Sequence, residues 1–277
     1  MSDAPIVFEE LPATAGILGR VTFNVPATLN SLTLEMVDLL QEKLHQWRDD
    51  AKVAAVFIDG TGDKAFCAGG DVQALHRSAV ATPGGPCDYA ESFFTREYRM
   101  NYTLHTYPKP LICWGHGIVM GGGLGVMAGC SHRVVTESTR IAMPEVTIAL
   151  FPDVGGSWFL NHMPGKAGHF LALTGASINA ADALYTGLAD RFIVSEHKAS
   201  VLALLQQQQW SDDSGVNHGL VMHVLRGFAA QSLGSCPGGQ VEPHMGTIAR
   251  LCDGDNVHEF LPWPCLTWAV SPARFVH

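Results

Sequence analysis

The run LICWGHGIVMGGGLGVMAGC, Leu111–Cys130, is the longest apolar stretch of the chain, and its reading decides the fold class. It has the length to span a bilayer. Its glycines and the central His116 make a poor membrane helix, so it reads as a buried strand, a glycine turn and a helix. Three consecutive glycines weaken any element, and a fold tolerates them where another group approaches the backbone closely. That group is either a tightly packed neighbouring element or a ligand. Gly123, Gly125 and Ala128 fit the loose dinucleotide pattern GxGxxA, but the turn lies deep in the chain and not at a first strand. His116 reads as a hydrogen-bonded structural histidine.

Outward from this run, strand-like and helix-like segments alternate. GILGRVTFNV and VAAVFIDG read as strands, and between them Leu34, Val37, Leu40, Leu44 and Trp47 recur at helical spacing. A glycine-rich loop, GTGDKAFCAGGD, leads to a helix from about Asp71. DYAESFFTREYRMNYTLHTY is a long amphipathic helix stopped by the prolines of YPKP. HRVVTE and TRIAM follow as strands, GKAGHFLALTG and NAADALYTG as helices, LADRFIV as a strand and HKASVLALLQQQQ as a helix. This order predicts an α/β fold of buried, largely parallel strands with helical crossovers. Past Trp210 strand signals fade. The last stretch, FLPWPCLTWAVSPARFVH, has no clear period. The expected organisation is a core domain over 1–195, a helical C-terminal region over 196–259 and an irregular tail over 260–277.

Composition narrows the function classes. Of 277 residues, 47% are hydrophobic and only 16% charged, enough apolar material for a sizeable core. A net charge of −9 disfavours nucleic acid as a partner. Seven scattered cysteines without CxxC spacing read as reduced thiols and give no zinc site. The acidic start, MSDAPIVFEELPA, lacks the features of a signal peptide, so a soluble cytoplasmic protein is expected. GxSxG, HExxH and P-loop motifs are absent, and CDGDN lacks the ligands of a calcium loop.

Two glycine turns and one acidic loop carry the candidate chemistry. FCAGGD, Phe66–Asp71, opens a helix, where backbone N–H groups favour negative charge. An ordinary turn with Asp71 as a cap explains the same residues. HGIVMGGGLG is a second such turn. In MPEVTIALFPDVGG, Glu145 and Asp153 follow prolines among Ile148, Ala149, Leu150, Phe151, Trp158 and Phe159. Surface solvation is the usual fate of such acids. These apolar neighbours would instead desolvate them, raising their pKa values toward those of a general acid or base. Glu97, by itself, reads as a residue of a solvated helix face.

FCAGGD, HGIVMGGGLG, MPEVTIALFPDVGG and ALTGASINAADALYTGLADRFI together resemble the crotonase superfamily, the enoyl-CoA hydratase/isomerase family, from about Ile17 to Val194 and more faintly to about Glu259. The resemblance implies a crotonase-like spiral of ββα units with a C-terminal helical region, and an acyl-CoA thioester as substrate. Coenzyme A is then part of the substrate, and no cofactor or metal is expected. It implies an oxyanion hole from the Gly70 and Gly122 N–H groups, and an adenosine pocket near Asn24–Leu29 and Ala68. Hydratases carry two glutamates, and the first of those positions is Gly125 here. Glu145 and Asp153, with Glu97 and the glycine turn, are most similar to the family's 3-hydroxyisobutyryl-CoA hydrolase branch, which belongs to valine catabolism. In that branch Glu145 and Asp153 form the catalytic pair, and Glu97, Ala68, Gly121 and Gly122 meet substrate. The alternatives are an enoyl- or dienoyl-CoA isomerase or hydratase, and a catalytically weak CoA-binding or scaffold protein. A homo-oligomer, trimeric or hexameric, is the assembly typical of the superfamily.

Overall fold

The computed structural model describes residues 4–254. β1 (Ile6–Pro12) pairs antiparallel with β2 (Ile17–Phe23), and α1 (Leu34–Asp49) leads to β3 (Val53–Gly60) and β4 (Ala65–Cys67). α2 (Val72–Ala81), α3 (Asp88–His105), β5 (Leu111–Gly115), β6 (Ile118–Met120) and α4 (Gly122–Gly129) follow. Then come β7 (His132–Val135), β8 (Arg140–Ala142), α5 (Gly156–Phe159), α6 (Ala167–Thr174), α7 (Ala180–Tyr185) and β9 (Arg191–Phe192). α8 (Lys198–Gln206), α9 (Ser214–Ser232) and α10 (Met245–Leu251) complete the described chain.

Successive strand pairs divide between two sheets. β3, β5 and β7 join a larger sheet of order β1-β2-β3-β5-β7-β9, parallel from β2 onward. Their partners β4, β6 and β8 form a smaller parallel sheet. This is the spiral of strand pair and helix that the resemblance implies. All of β3 is buried, because both faces of a parallel strand are covered by crossovers. Asp59 is the one charge in that strand, and Arg20, Lys198 and Thr22 bind its carboxylate.

Local rules explain the elements that stand around the site. Thr33 caps α1 by accepting from the Met36 N–H, and the predicted stripe from Val37 to Trp47 faces inward. α3 buries Phe93, Glu97, Met100 and Leu104 on one face. The helical C-terminal region divides between two surfaces. Val201, Leu205, Val221 and Leu225 of α8 and α9 pack with Leu18, Phe57 and Trp114 on one face of the larger sheet, while α10 packs beside α6. The tail expected over 260–277, with Trp263 and Trp268, lies outside the described residues.

Leu111–Cys130 forms two strands, a turn and a helix, and among the described residues no helix is long and apolar enough to cross a membrane. Sequence reading missed β1, whose stretch it took only as acidic. It also missed β4 and β6, which at three residues each are too short to show a period of two.

Candidate active site

Two glycine turns meet between the sheets. In the first, the Leu32 N–H donates to the Gly69 carbonyl (2.8 Å) and the Asp71 N–H donates back to Leu32 (2.9 Å). That bridge passes over Gly70, whose N–H donates to no backbone acceptor among the described residues. Asp71 caps α2 by accepting from the Ala74 N–H, as the ordinary reading of the turn expected. The Ala68 N–H donates to Leu29 (3.0 Å), which ties this turn to the Asn24–Leu29 loop. In the second turn, Gly121 has φ +49 and ψ −124, a conformation that strains a side-chain-bearing residue. Gly122 is the first residue of α4, so its N–H has no partner within the helix. A Cβ built on Gly122 would lie 3.4 Å from the Gly70 nitrogen, and one on Gly69 would lie 3.5 Å from the Gly122 nitrogen. The sequence-predicted glycines at 70, 121 and 122 therefore share one small space.

Three acids reach that space. Glu145 opens a short 3-10 turn after β8 and is 7% exposed. Its Oε1 lies 2.9 Å from the position of a Gly121 Cβ, and its Oε2 has no hydrogen-bond partner. Burial, and then the charge of Asp153, push the Glu145 carboxyl up to about 7. Asp153 is half-buried and accepts a 2.8 Å hydrogen bond from the Tyr98 hydroxyl. Burial raises its pKa, and the Tyr98 bond opposes that rise. Glu97 is only 2% exposed, and its Oε1 abuts the position of a Gly122 Cβ. Burial first, then the charges of Asp153 and Glu145, push it up to about 8. The site residues named from sequence thus converge, and Ala68 borders them from the first turn.

Two local expectations need correction. Ile148, Ala149, Leu150, Phe151 and Trp158 are exposed, Phe151 by 71% and Trp158 by 61%, so of the six apolar neighbours named from sequence only Phe159 is buried. Backbone passes close to two of the acids: Gly121 lets the chain run against Glu145, and Gly122 at the start of α4 abuts Glu97. Glu97 does not sit on a solvated helix face either. The signal was present, because Phe93, Glu97, Met100 and Leu104 share one helical stripe. Tyr98, the partner of Asp153, was missed, and nothing in its spacing marks it. His116 is structural, as expected: Nε2 donates to the Gly62 carbonyl at 2.8 Å, and burial lowers its pKa.

Gly125, where a hydratase carries its other glutamate, is blocked. A Cβ there would lie 2.5 Å from the Cβ of Val154, a buried residue with φ +42. A β-branched residue in the left-handed region costs roughly 1–3 kcal/mol. Val154 is held there as a plug against α4, and the same backbone carries Asp153. Gly125→Glu should therefore lower Tm by roughly 5 °C, the scale of a 1–3 kcal/mol overpacking penalty, and should confer no hydration of crotonyl-CoA. Calorimetry and loss of the enoyl absorbance test this. A stable variant that hydrates crotonyl-CoA would show that Val154 is no obstacle.

Beyond Asp153 lies a cavity of about 470 Å³ between α3, α4 and α5, lined by Tyr98, Asn101, Gly125, Arg133, Asp153 and Trp158. Its size is that of a small-molecule site.

Comparison with known proteins fits this geometry. The chain is 40% identical to the Homo sapiens protein named 3-hydroxyisobutyryl-CoA hydrolase, mitochondrial, over 254 residues, which are 91% of this chain and 64% of that one. The Xenopus tropicalis protein of the same name is 40% identical over 223 residues, 80% of this chain and 57% of its own. The chain thus spans about half to two thirds of the length of the curated relatives it matches. Among solved structures, an enoyl-CoA hydratase from Rhodobacter sphaeroides 2.4.1 superposes with a TM-score of 0.79 at 32% identity, covering 97% of this chain and 73% of that one. A carnitinyl-CoA dehydratase from Mycobacterium thermoresistibile gives 0.80 at 34% identity, with 98% and 71% covered. A family model described as enoyl-CoA hydratase/isomerase matches residues 18–262, and with its crotonase fold the chain belongs to that family.

Proposed function

We propose that the chain hydrolyses a short-chain 3-hydroxyacyl-CoA thioester, the branched 3-hydroxyisobutyryl-CoA, to the free acid and CoA. The observation that carries this reading is the occupied space at Gly125. A two-glutamate hydration needs a second carboxylate there, and a dienoyl-CoA isomerase needs one at the same place, whereas Val154 fills it. The acids that are present are Glu145, against Gly121, and Asp153, which borders the same cavity as Gly125. The names of the curated relatives support the same reaction.

In this reading the thioester oxygen takes hydrogen bonds from the Gly70 and Gly122 N–H groups, the oxyanion hole. Such preorganised donors are each worth about 2.7–4 kcal/mol in the transition state. Glu145, next to Gly121, takes the proton of the attacking water or attacks the carbonyl itself. Asp153, oriented by Tyr98, holds the water or the substrate hydroxyl. Glu97, Ala68 and Gly121 contact substrate, and the acyl group enters the cavity beside Tyr98. CoA is part of the substrate, and the reaction needs no further cofactor. The pathway is valine catabolism, and the assembly is a homo-oligomer of the trimeric or hexameric kind. Cytoplasm is the proposed location, and fractionation tests it against the mitochondrial location in the relatives' names.

Thiol release from 3-hydroxyisobutyryl-CoA, beside hydration of crotonyl-CoA, tests the reaction. Hydrolysis without hydration is expected. Hydration without hydrolysis would make the chain a hydratase, and CoA binding with neither reaction would make it a binding protein. Hydrolysis should also rise with pH through about 7, because Glu145 must lose its proton to act and its pKa is about 7. A rate that is already level from pH 5 upward would mean that another group limits it.

A further inference from the structure

Outside the site, the deeply buried carboxyls of the described residues, Asp59 and Asp182, are matched. Asp59 has Arg20 Nη2 at 2.9 Å, Lys198 Nζ at 2.6 Å and Thr22 Oγ1 at 2.8 Å. Asp182 accepts from the Gln240 and Val241 N–H groups, both at 2.7 Å. Glu97 is buried to the same degree, yet among the described residues no hydrogen bond or ion pair engages its carboxyl, and the charges that act on it are those of Asp153 and Glu145. The titratable groups around it are Glu145 from the turn after β8, Asp153 from the segment before α5, Tyr98 on its own helix and Cys67 of β4. None of these can supply a positive charge. A bare carboxylate in such a place carries a desolvation cost and the repulsion of two further acids.

The position of that carboxyl gives the missing partner a location. Glu97 Oε1 and the Gly70 nitrogen both approach the point where a Cβ of Gly122 would stand, the nitrogen at 3.4 Å. Three groups therefore surround one small space: two unpaired backbone N–H groups and one unpaired carboxyl. An ionised Glu97 would repel an oxyanion formed there, whereas a protonated one would present an O–H to it.

We propose that Glu97 is a third donor of the oxyanion site, a neutral carboxylic acid whose O–H hydrogen-bonds the thioester oxygen beside the Gly70 and Gly122 N–H groups. The proposal rests on the thioester-hydrolase reading of this site. The proton stays on Glu97 throughout. As water oxygen bonds to the thioester carbon and passes a proton to Glu145, the carbonyl electron pair moves onto the oxygen and the three donors hold it. On collapse the pair re-forms the carbonyl, the carbon–sulfur bond breaks with its electrons on sulfur, and the sulfur takes the proton that Glu145 had received. The upward push on Glu97 to about 8 keeps the proton in place at neutral pH.

Glu97→Gln and Glu97→Leu in the full chain test it through pH profiles, infrared spectra and thermal melts. Wild-type hydrolysis should decline above about pH 8 as Glu97 ionises. Glu97→Gln keeps a neutral but weaker donor, so it should lose roughly tenfold in rate and lose that alkaline decline. Glu97→Leu, with no donor, should lose roughly 10²–10³-fold. At neutral pH the wild type should show a protonated-carboxyl stretch that Glu97→Gln lacks. The sign for stability follows from the raised folded pKa. Between about 4.5 and about 8 the folded chain holds a proton that the unfolded chain has lost, so stability falls as pH rises across that window. The fall in Tm should be shallower in Glu97→Gln. An ionised Glu97 at neutral pH, or an alkaline decline that persists in Glu97→Gln, would overturn the proposal. If the wild type cleaves no acyl-CoA, the reaction reading fails instead, and the infrared band together with acyl-CoA binding by Glu97→Leu still decides the state and place of Glu97.

Discussion

Glu145→Gln is expected to lower thioester hydrolysis by roughly 10³-fold or more while leaving acyl-CoA binding within a few-fold of wild type. The size follows from general-base catalysis, which contributes about 10²–10⁴-fold. The substitution keeps shape, so the contact with Gly121 survives and the fold has no new cavity to fill. Only the ability to take a proton or to attack is lost. Stability should move in a direction that separates this from damage. The folded pKa of Glu145, about 7, lies above its ordinary value of 4.5, so the wild type loses stability as pH rises across that interval. The glutamine variant has no such loss from this position, and its Tm at neutral pH should equal or exceed that of wild type. Single-turnover kinetics, acyl-CoA titration and melting curves measure the three quantities. Full activity in Glu145→Gln would mean that the acid has only a packing role.

Gly122→Ala is expected to give a large kinetic effect with only a small change in stability. Gly122 does not have a positive φ and opens a helix, where alanine is favoured over glycine by about 1 kcal/mol. The backbone conformation therefore accepts the change, while the Glu97 carboxyl, the end of a flexible side chain, has to shift. The methyl group, however, would project between Glu97 and the Gly70 nitrogen, into the space assigned to the thioester oxygen. Losing one donor geometry costs about 10²–10³-fold in rate, and that is the expected fall in kcat. Hydrolysis within threefold of wild type, at unchanged Tm, would show that the oxygen binds elsewhere.

How far the sequence foretold this site differs from residue to residue. Glycine turns between strand and helix were legible because a run of three glycines has few structural uses, and Gly121 does take the backbone conformation that requires one. Long helices and the fully apolar β3 were legible from period and composition. The three-residue strands were not, since pairing across a second sheet is a tertiary property. The exposed faces of Phe151 and Trp158 were misread for the same reason: local apolar content says that a segment could bury an acid, and not which way it turns. Glu97 was hidden by its type. A carboxylate on an amphipathic helix is ordinarily counted with the polar face, and here it holds a place in the apolar stripe between Phe93 and Met100. Tyr98 is a contact between residues 55 apart in sequence, which no local pattern encodes.

The fit of Val154 against Gly125 also governs which neighbouring sequences can be reached from this one. An acid at 125 is useless while the valine stands in its place, and removing the valine alone opens a hole beside Asp153 without supplying any chemistry. Each change pays off only in the company of the other. A chain with this interlock cannot drift toward water addition by one substitution at a time without passing through a weakened form, so reaction type here is guarded by a pair of apolar atoms in contact and not by the acids alone.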